Sequence, residues 1–328
     1  MSSGTSWRSR SVATELAVES ASAAPRVSVL LPVFNAAAYA GDAVRSILVQ
    51  TFTDFELLIV DDGSSDSSPR ILQELARGDA RVRLTSRANR GLVATLNEMI
   101  VSARGEYFAR MDGDDIAFPQ RFARQVEFLD SHPEVVAVGS RALFIDAEGL
   151  PLMEGMPHFS HEEIERALMT PELGIIHPSV MMRGAACCAI GGYHADYPHA
   201  EDLDFFLRLG ELGRLENMPE PLLRYRTHAS SVSAVHMETQ WRSATKAVEA
   251  ALVRRGVDPG AVTIAGKPSP RIETSSELHR KWSWWALGSG HLRSARKHAR
   301  LALFADPLSL PNHKLVACVI RDSLKGLR

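Results

Sequence analysis

Glu106-Tyr107-Phe108-Ala109-Arg110-Met111-Asp112-Gly113-Asp114-Asp115 runs a short apolar stretch, legible as a buried strand, straight into three carboxylates within four residues. Carboxylates crowded this tightly repel one another, and neither a core nor an ordinary turn gains from that. A divalent cation removes the repulsion, because Mg²⁺ and Mn²⁺ prefer hard oxygen ligands and keep positions open for phosphate oxygens. Asp-X-Asp at the carboxyl end of a strand is therefore a candidate site for a cation and a diphosphate. The competing reading is an acidic surface turn, and the rest of the chain decides between them.

Upstream, Val27-Ser28-Val29-Leu30-Leu31-Pro32-Val33-Phe34-Asn35 is a β-branched apolar run closed by Pro and Asn, a buried strand leading into a loop. Residues 37–50 place Ala40, Val44, Ile47 and Leu48 at helical spacing. Glu56 to Val60 is a second strand, broken by Asp61-Asp62-Gly63-Ser64-Ser65-Asp66, which supplies an N-cap for a helix through about Arg77. Val82–Thr85 is a third strand and Leu92–Ala103 a third helix. Alternation at this spacing means βαβ units, a parallel sheet and right-handed crossovers. Ligands of such sheets gather beyond the carboxyl ends of the strands. The loops holding Asn35, Asp62, Asn89-Arg90-Gly91 and Asp112/Asp114 should converge there.

The second half changes character. A helix near Pro119–Ser131 precedes a strand at Val135–Gly139, and His177–Arg183 reads as another strand. Gly191-Gly192-Tyr193 marks a turn, and Ala200-Glu201-Asp202 opens a helix through about Gly213 with Leu203, Phe206 and Leu207 on its buried face. Arg224-Tyr225-Arg226-Thr227-His228 reads as a polar segment after Pro219 and Pro221. From about His236 the chain looks helical and separate, with a Pro/Gly-rich connection over Gly256–Arg271.

Composition bounds the function. The 328 residues, 45% hydrophobic and 23% charged, describe a globular chain of one large α/β domain plus an appendage, or two domains. A net charge of -2 argues against general nucleic-acid binding. Three cysteines, Cys187 and Cys188 adjacent, make neither a disulfide framework nor a zinc site, so a reducing cytoplasm is expected. No apolar stretch is long enough for a transmembrane helix. The Ser/Ala-rich residues 1–24 lack the apolar core of a signal peptide and read as a disordered tail. Residues 280–328 carry ten Lys/Arg against two Asp, with Trp282, Trp284 and Trp285 at one end. Such a segment can touch an anionic membrane surface or an acidic partner, or pack as a helical appendage with its tryptophans buried.

In this order the motifs resemble the family 2 glycosyltransferases, the inverting group with the GT-A fold. The resemblance runs from about Val27 to Ser233. It rests on Val27–Asn35, Gln50-Thr51-Phe52, Glu56–Asp66, Asn89-Arg90-Gly91, Met111–Asp115, Gly191-Gly192-Tyr193, Glu201-Asp202 and Tyr225-Arg226-Thr227-His228. It implies an α/β GT-A fold with a mixed, mostly parallel sheet over 25–235 and a helical C-terminal extension over 236–328. The implied activity is metal-dependent, inverting transfer of a sugar from a nucleotide-sugar to a hydroxyl of a glycan or lipid-linked acceptor, in cell-surface or exported polysaccharide assembly.

Carried over residue by residue, Pro32, Val33 and Asn35 line the nucleotide slot, and Asp62 accepts the imide N–H of uracil or thymine. That pairing favours UDP or dTDP donors, since cytosine lacks the donor. Gly91 allows close backbone approach to the nucleotide, Arg90 could meet phosphate, and Asp112 lies near the ribose. Asp114 is the implied ligand of Mn²⁺ or Mg²⁺, with His228 completing the site and Asp115 in support. Arg224 and Arg226 are secondary candidates for the diphosphate. Asp202 is the implied general base, its place at a helix start keeping it ionised. Glu201 would orient the acceptor or the loop, and His177 would wall the acceptor pocket or serve the core. The implied location is cytoplasmic, at the inner face of the membrane if the basic segment makes peripheral contact. Two rivals remain: a sugar nucleotidylyltransferase, which would want a Gly-rich basic loop after the first strand, and a degenerate module that binds nucleotide-sugar without turnover.

Overall fold

The computed structural model of the chain describes residues 24–155, 158–228, 237–261 and 273–325. The expected tail lies outside that set apart from Ala24. Strands β1 (Val27–Val33), β2 (Phe55–Asp61), β3 (Val82–Ser86) and β4 (Tyr107–Arg110) alternate with helices α1 (Ala40–Leu48), α2 (Ser68–Gly78) and α3 (Leu92–Ser102). They form the parallel order β3-β2-β1-β4. Every residue of β1 and β2 is buried, as expected of central strands covered on both faces.

Side chains alternate between two cores, as the two-residue period of a strand dictates. Leu30, Leu58 and Val60 join Leu96, Met99 and Ile100 of α3 on one face. Val29, Leu31, Leu57 and Ile59 meet Val44 and Ile47 of α1 and Leu72 of α2 on the other.

Beyond β4 the sheet becomes mixed. Two-residue β5 (Ile116–Ala117) and helix α4 (Arg121–Ser131) lead to β6 (Val135–Ile145), β7 (Pro151–Gly155), helix α5 (His161–Met169), β8 (Met181–Arg183), helix α6 (Gly184–Ala189), helix α7 (Glu201–Leu209) and β9 (Arg214–Arg226). Strand β8 runs antiparallel between β4 and β6, and β6 pairs in parallel with β9, which carries β5. The expected strand over His177–Arg183 is a 3₁₀ turn at His177–Ser179 followed by β8, because Pro178 can donate no ladder hydrogen bond. The expected polar segment at Arg224–His228 is largely the end of thirteen-residue β9. Its register with β6 shifts between Ser140 and Arg141, so the Pro219–Glu220 pair drops out of the ladder.

Helices α8 (Met237–Arg254), α9 (Ser275–Gly288), α10 (Leu292–Ala305) and α11 (Leu310–Lys325) complete the described elements. Ala247, Val248 and Ala251 of α8 enter the core of α7. In contrast, α9–α11 close their own cluster, in which Trp282, Ala295, Ala299 and Leu315 surround Leu152 of β7. Trp282 is buried, Trp285 meets Phe144 edge-on at 6.3 Å, and Trp284 remains exposed. Among the described residues, no helix is long and apolar enough to cross a membrane.

Candidate active site

The acidic residues follow directly on β4, at the carboxyl edge of the parallel half-sheet. Buried Arg121 fixes that strand end, its Nη2 donating to the carbonyls of Arg110 (2.8 Å) and Val180 (3.2 Å). A Cβ on Gly113 would meet Val33 Cγ2 and Ala36 Cβ at 3.5 Å, so the acidic loop rests on the end of β1 beside Pro32 and Val33. Asp112, Asp114 and Asp115 each present a carboxylate oxygen within 4.8 Å of the others.

Their surroundings differ. Asp112 pairs with buried Arg110, yet burial and the charge of Asp114 raise its carboxyl from the ordinary value. Asp115 is 1% exposed; its Oδ1 accepts the Arg226 amide at 2.8 Å, and its Oδ2 finds no donor among the described residues. Burial and two like charges push that carboxyl well above the usual range. Asp114 Oδ2 lies 3.2 Å from His228 Nε2. Hard oxygens, one imidazole and one orphaned buried oxygen suit a divalent cation of the Mg²⁺/Mn²⁺ kind.

The neighbouring loops knit together beside this cluster. Asn35, at φ 49, accepts the Ser65 amide at 2.8 Å through Oδ1, and its own amide donates to Ser64 Oγ. Asp61 closes its turn by accepting from the Ser64 amide at 3.1 Å, and Asp66 accepts the first amide of α2, from Ser68. Asp62 is buried and turned toward the 89–91 loop: Oδ1 accepts from Arg90 N and Oδ2 from Gly91 N, both at 2.9 Å, while Arg87 pairs with Oδ1. Gly91, at φ +85, is the N-cap of α3, a conformation that favours glycine.

Asp202 is the second residue of α7, its Oδ1 accepting the Leu203 amide at 2.8 Å. A helix start favours an ionised carboxylate, but here burial outweighs it and raises the Asp202 carboxyl, with the Asp112 charge adding to the rise. Arg110 opposes that rise, so its guanidinium acts on both Asp112 and Asp202. Burial and Asp202 push the neighbouring Glu201 up to about 7.

Several other candidates sit differently. The Arg226 guanidinium is buried and committed to carbonyls: Nε donates to Asp114 O at 2.7 Å, and Nη1 donates to Asp146 O and Ala147 O. It also lies 4.4 Å over the Tyr39 ring. It brackets the acidic loop and is poorly free to grip a diphosphate. Arg224 is exposed and stacks on Phe118, and Arg90 points its side chain to Glu98. His177 is buried 2.7 Å from the Tyr193 hydroxyl, in the core. Sequence reasoning missed Arg87, Arg110 and the bracketing role of Arg226. Only the placement of Arg110 against the acidic run could have signalled one of them.

The family model described as "Glycosyl transferase family 2" matches residues 28–188. An uncharacterized glycosyltransferase of Haemophilus influenzae is 31% identical over 233 residues, covering 68% of this chain and 72% of the relative. Among solved structures, S. aureus TarS 1–349 in complex with UDP-GlcNAc is similar at TM-score 0.59 and 16% identity, with 92% of each chain covered. The mannosyltransferase PcManGT from Pyrobaculum calidifontis, in complex with GDP-Man and Mn²⁺, is similar at TM-score 0.52 and 19% identity, over 93% of this chain and 88% of the other. These structural likenesses establish the GT-A fold.

Proposed function

Because the chain belongs to glycosyl transferase family 2 and is a glycosyl-transfer enzyme, we propose that it moves a sugar, with inversion, from a UDP- or dTDP-linked donor to a hydroxyl acceptor. The observation that carries this reading is the acidic cluster: three carboxylates, one with an orphaned buried oxygen, within reach of His228 and electrostatically coupled to Asp202.

In this reading Asp114 and His228 hold Mn²⁺ or Mg²⁺, with Asp115 behind them. The ion would offset charge developing on the departing nucleoside diphosphate. Asp112 meets the ribose, and Pro32, Val33, Asn35 and Gly91 line the nucleotide. Asp62 already accepts three donors, which leaves one of a carboxylate's roughly four acceptor positions for a base imide. Asp202 takes the acceptor proton as the new bond forms. A raised carboxyl makes it a stronger late acceptor than a surface aspartate.

We place the donor site and the base in residues 25–235, with 236–328 as the helical C-terminal extension. The setting we propose is polysaccharide assembly at the cytoplasmic face of a membrane, reached through the basic C-terminal segment. Both follow from the family resemblance and the charge pattern.

The test is a screen of nucleotide-sugars with Mn²⁺ and Mg²⁺ that reads the released product. UDP or dTDP is expected, and pyrophosphate would instead indicate nucleotidyl transfer. Asp202→Asn should lower turnover by about 10²–10⁴-fold while UDP binding survives. Unchanged turnover removes the base assignment.

A further inference from the structure

A cavity of about 280 Å³ opens beside Asp202. Its walls come from three places: the segment after α5, the first turns of α7, and the first turns of α8. Ile175, Leu203 and Phe206 make it largely apolar, and the half-buried Trp241 of α8 is part of its wall. Because Asp202 is itself part of the wall, whatever fills the cavity can offer a hydroxyl to that carboxylate.

Charge narrows the occupant. Among the described residues, the ionisable lining groups are Glu172 and Asp202, both acidic, and neither lysine nor arginine lines the cavity. A phosphate or carboxylate entering here would meet a largely apolar wall bearing like charges, and among the described residues no lysine or arginine in that wall offsets them. An uncharged ligand escapes that penalty. Size narrows it further, since 280 Å³ falls below the roughly 300–1,000 Å³ typical of pockets for drug-sized ligands. That is room for a single ring at the wall, with the rest of an acceptor free to extend from the open side. A pyranose would suit this chemistry: its C–H face could lie against the Trp241 indole, and its hydroxyls could bond to the Gln240 amide and the Glu172 carboxylate.

We infer that this cavity is the acceptor subsite and that it admits an uncharged sugar residue laid on Trp241, excluding uronates and sugar phosphates. The inference rests on the reading of Asp202 as the base. Trp241 and Gln240 lie beyond about Ser233, where the family resemblance ends, whereas Asp202 lies within it.

The experiment uses the full chain with its working donor. Transfer is measured to p-nitrophenyl glycosides of neutral hexoses, to the p-nitrophenyl glucuronide and to glucose 1-phosphate. Neutral glycosides should be used at least tenfold better in kcat/KM than either anion. Trp241→Ala should raise acceptor KM tenfold or more with a smaller change in kcat, Trp241→Phe should recover most of that loss, and UDP affinity should shift less than twofold. Glu172→Lys should narrow the neutral-to-glucuronide ratio at least tenfold, and it supplies a second readout should Trp241→Ala fail to fold. Unchanged acceptor KM in Trp241→Ala, or a preference for the anionic acceptors, overturns the inference while leaving the base intact. Unchanged turnover in Asp202→Asn removes the base, and the inference with it.

Discussion

Asp115 and Asp146 are both 1% exposed, and the molecule treats them in opposite ways. Asp146 follows β6 and is saturated with donors. Its Oδ1 accepts the amides of Glu148 and Leu150, while Oδ2 faces Lys297 Nζ at 2.7 Å and His298 Nε2 at 3.0 Å. These partners outweigh burial and hold its carboxyl far below the usual range. Asp115 has one amide donor and two carboxylate neighbours, and its carboxyl rises. Where the chain supplies its own cations, the buried carboxylate is a joint, here fastening α10 to the turn between β6 and β7. Where three carboxylates share little more than Arg110, we propose that they await a charge arriving with the substrate. Arg226 links the two regions: its amide serves Asp115, and its guanidinium spans from the Asp114 carbonyl to those of Asp146 and Ala147.

Breaking the open side should have the largest effect. Asp114→Ala removes a proposed ion ligand and should lower nucleoside diphosphate release by about 10³-fold or more, with the circular dichroism of the native fold retained. Activity within tenfold of the native enzyme would erase the distinction between the two carboxylate groups.

Breaking the closed side should cost stability rather than chemistry. Asp146→Asn removes the buried charge facing Lys297 and His298 and leaves Lys297 only the exposed Glu148 at 2.9 Å, and loss of one partner of a buried pair costs about 3–5 kcal/mol. Denaturant unfolding measures it, and turnover per folded molecule should hold. The sign with pH follows from the depressed carboxyl. Stability from Asp146 is fully present above the unfolded value, about 3.9, and is lost as pH falls toward the folded value. The gap between native and Asp146→Asn proteins should therefore shrink below about pH 4. A gap that grows there would contradict the pairing.

The smallest effect belongs to the link. Arg226→Lys keeps the charge but cannot span the same carbonyls, and should weaken Mn²⁺ affinity by about 10–100-fold. Mn²⁺ titration of nucleoside diphosphate release reads it directly. An unchanged Mn²⁺ requirement would show that the acidic loop holds its shape unaided.

The same contrast explains what the sequence made legible. Strands β1 and β2 could be read because central parallel strands are apolar without interruption. The acidic cluster could be read because three carboxylates in four residues have few innocent explanations. Asp146 could not, since its partners Lys297 and His298 lie about 150 residues away with no local pattern between them. Arg110, Arg87 and the bracketing role of Arg226 escaped for a related reason, as a lone arginine carries no sign of its own burial. Pro219 and Pro221 hid β9, whose shifted register accommodates them only with β6 alongside.

In the proposed reading the acidic loop holds the nucleoside diphosphate through a divalent cation. Calorimetric titration of UDP into the full chain, with Mn²⁺ and then with EDTA, tests it most directly. Binding with Mn²⁺ that disappears with EDTA, and in Asp114→Ala with Mn²⁺ restored, is the predicted result. UDP binding of equal strength with and without Mn²⁺ would contradict it.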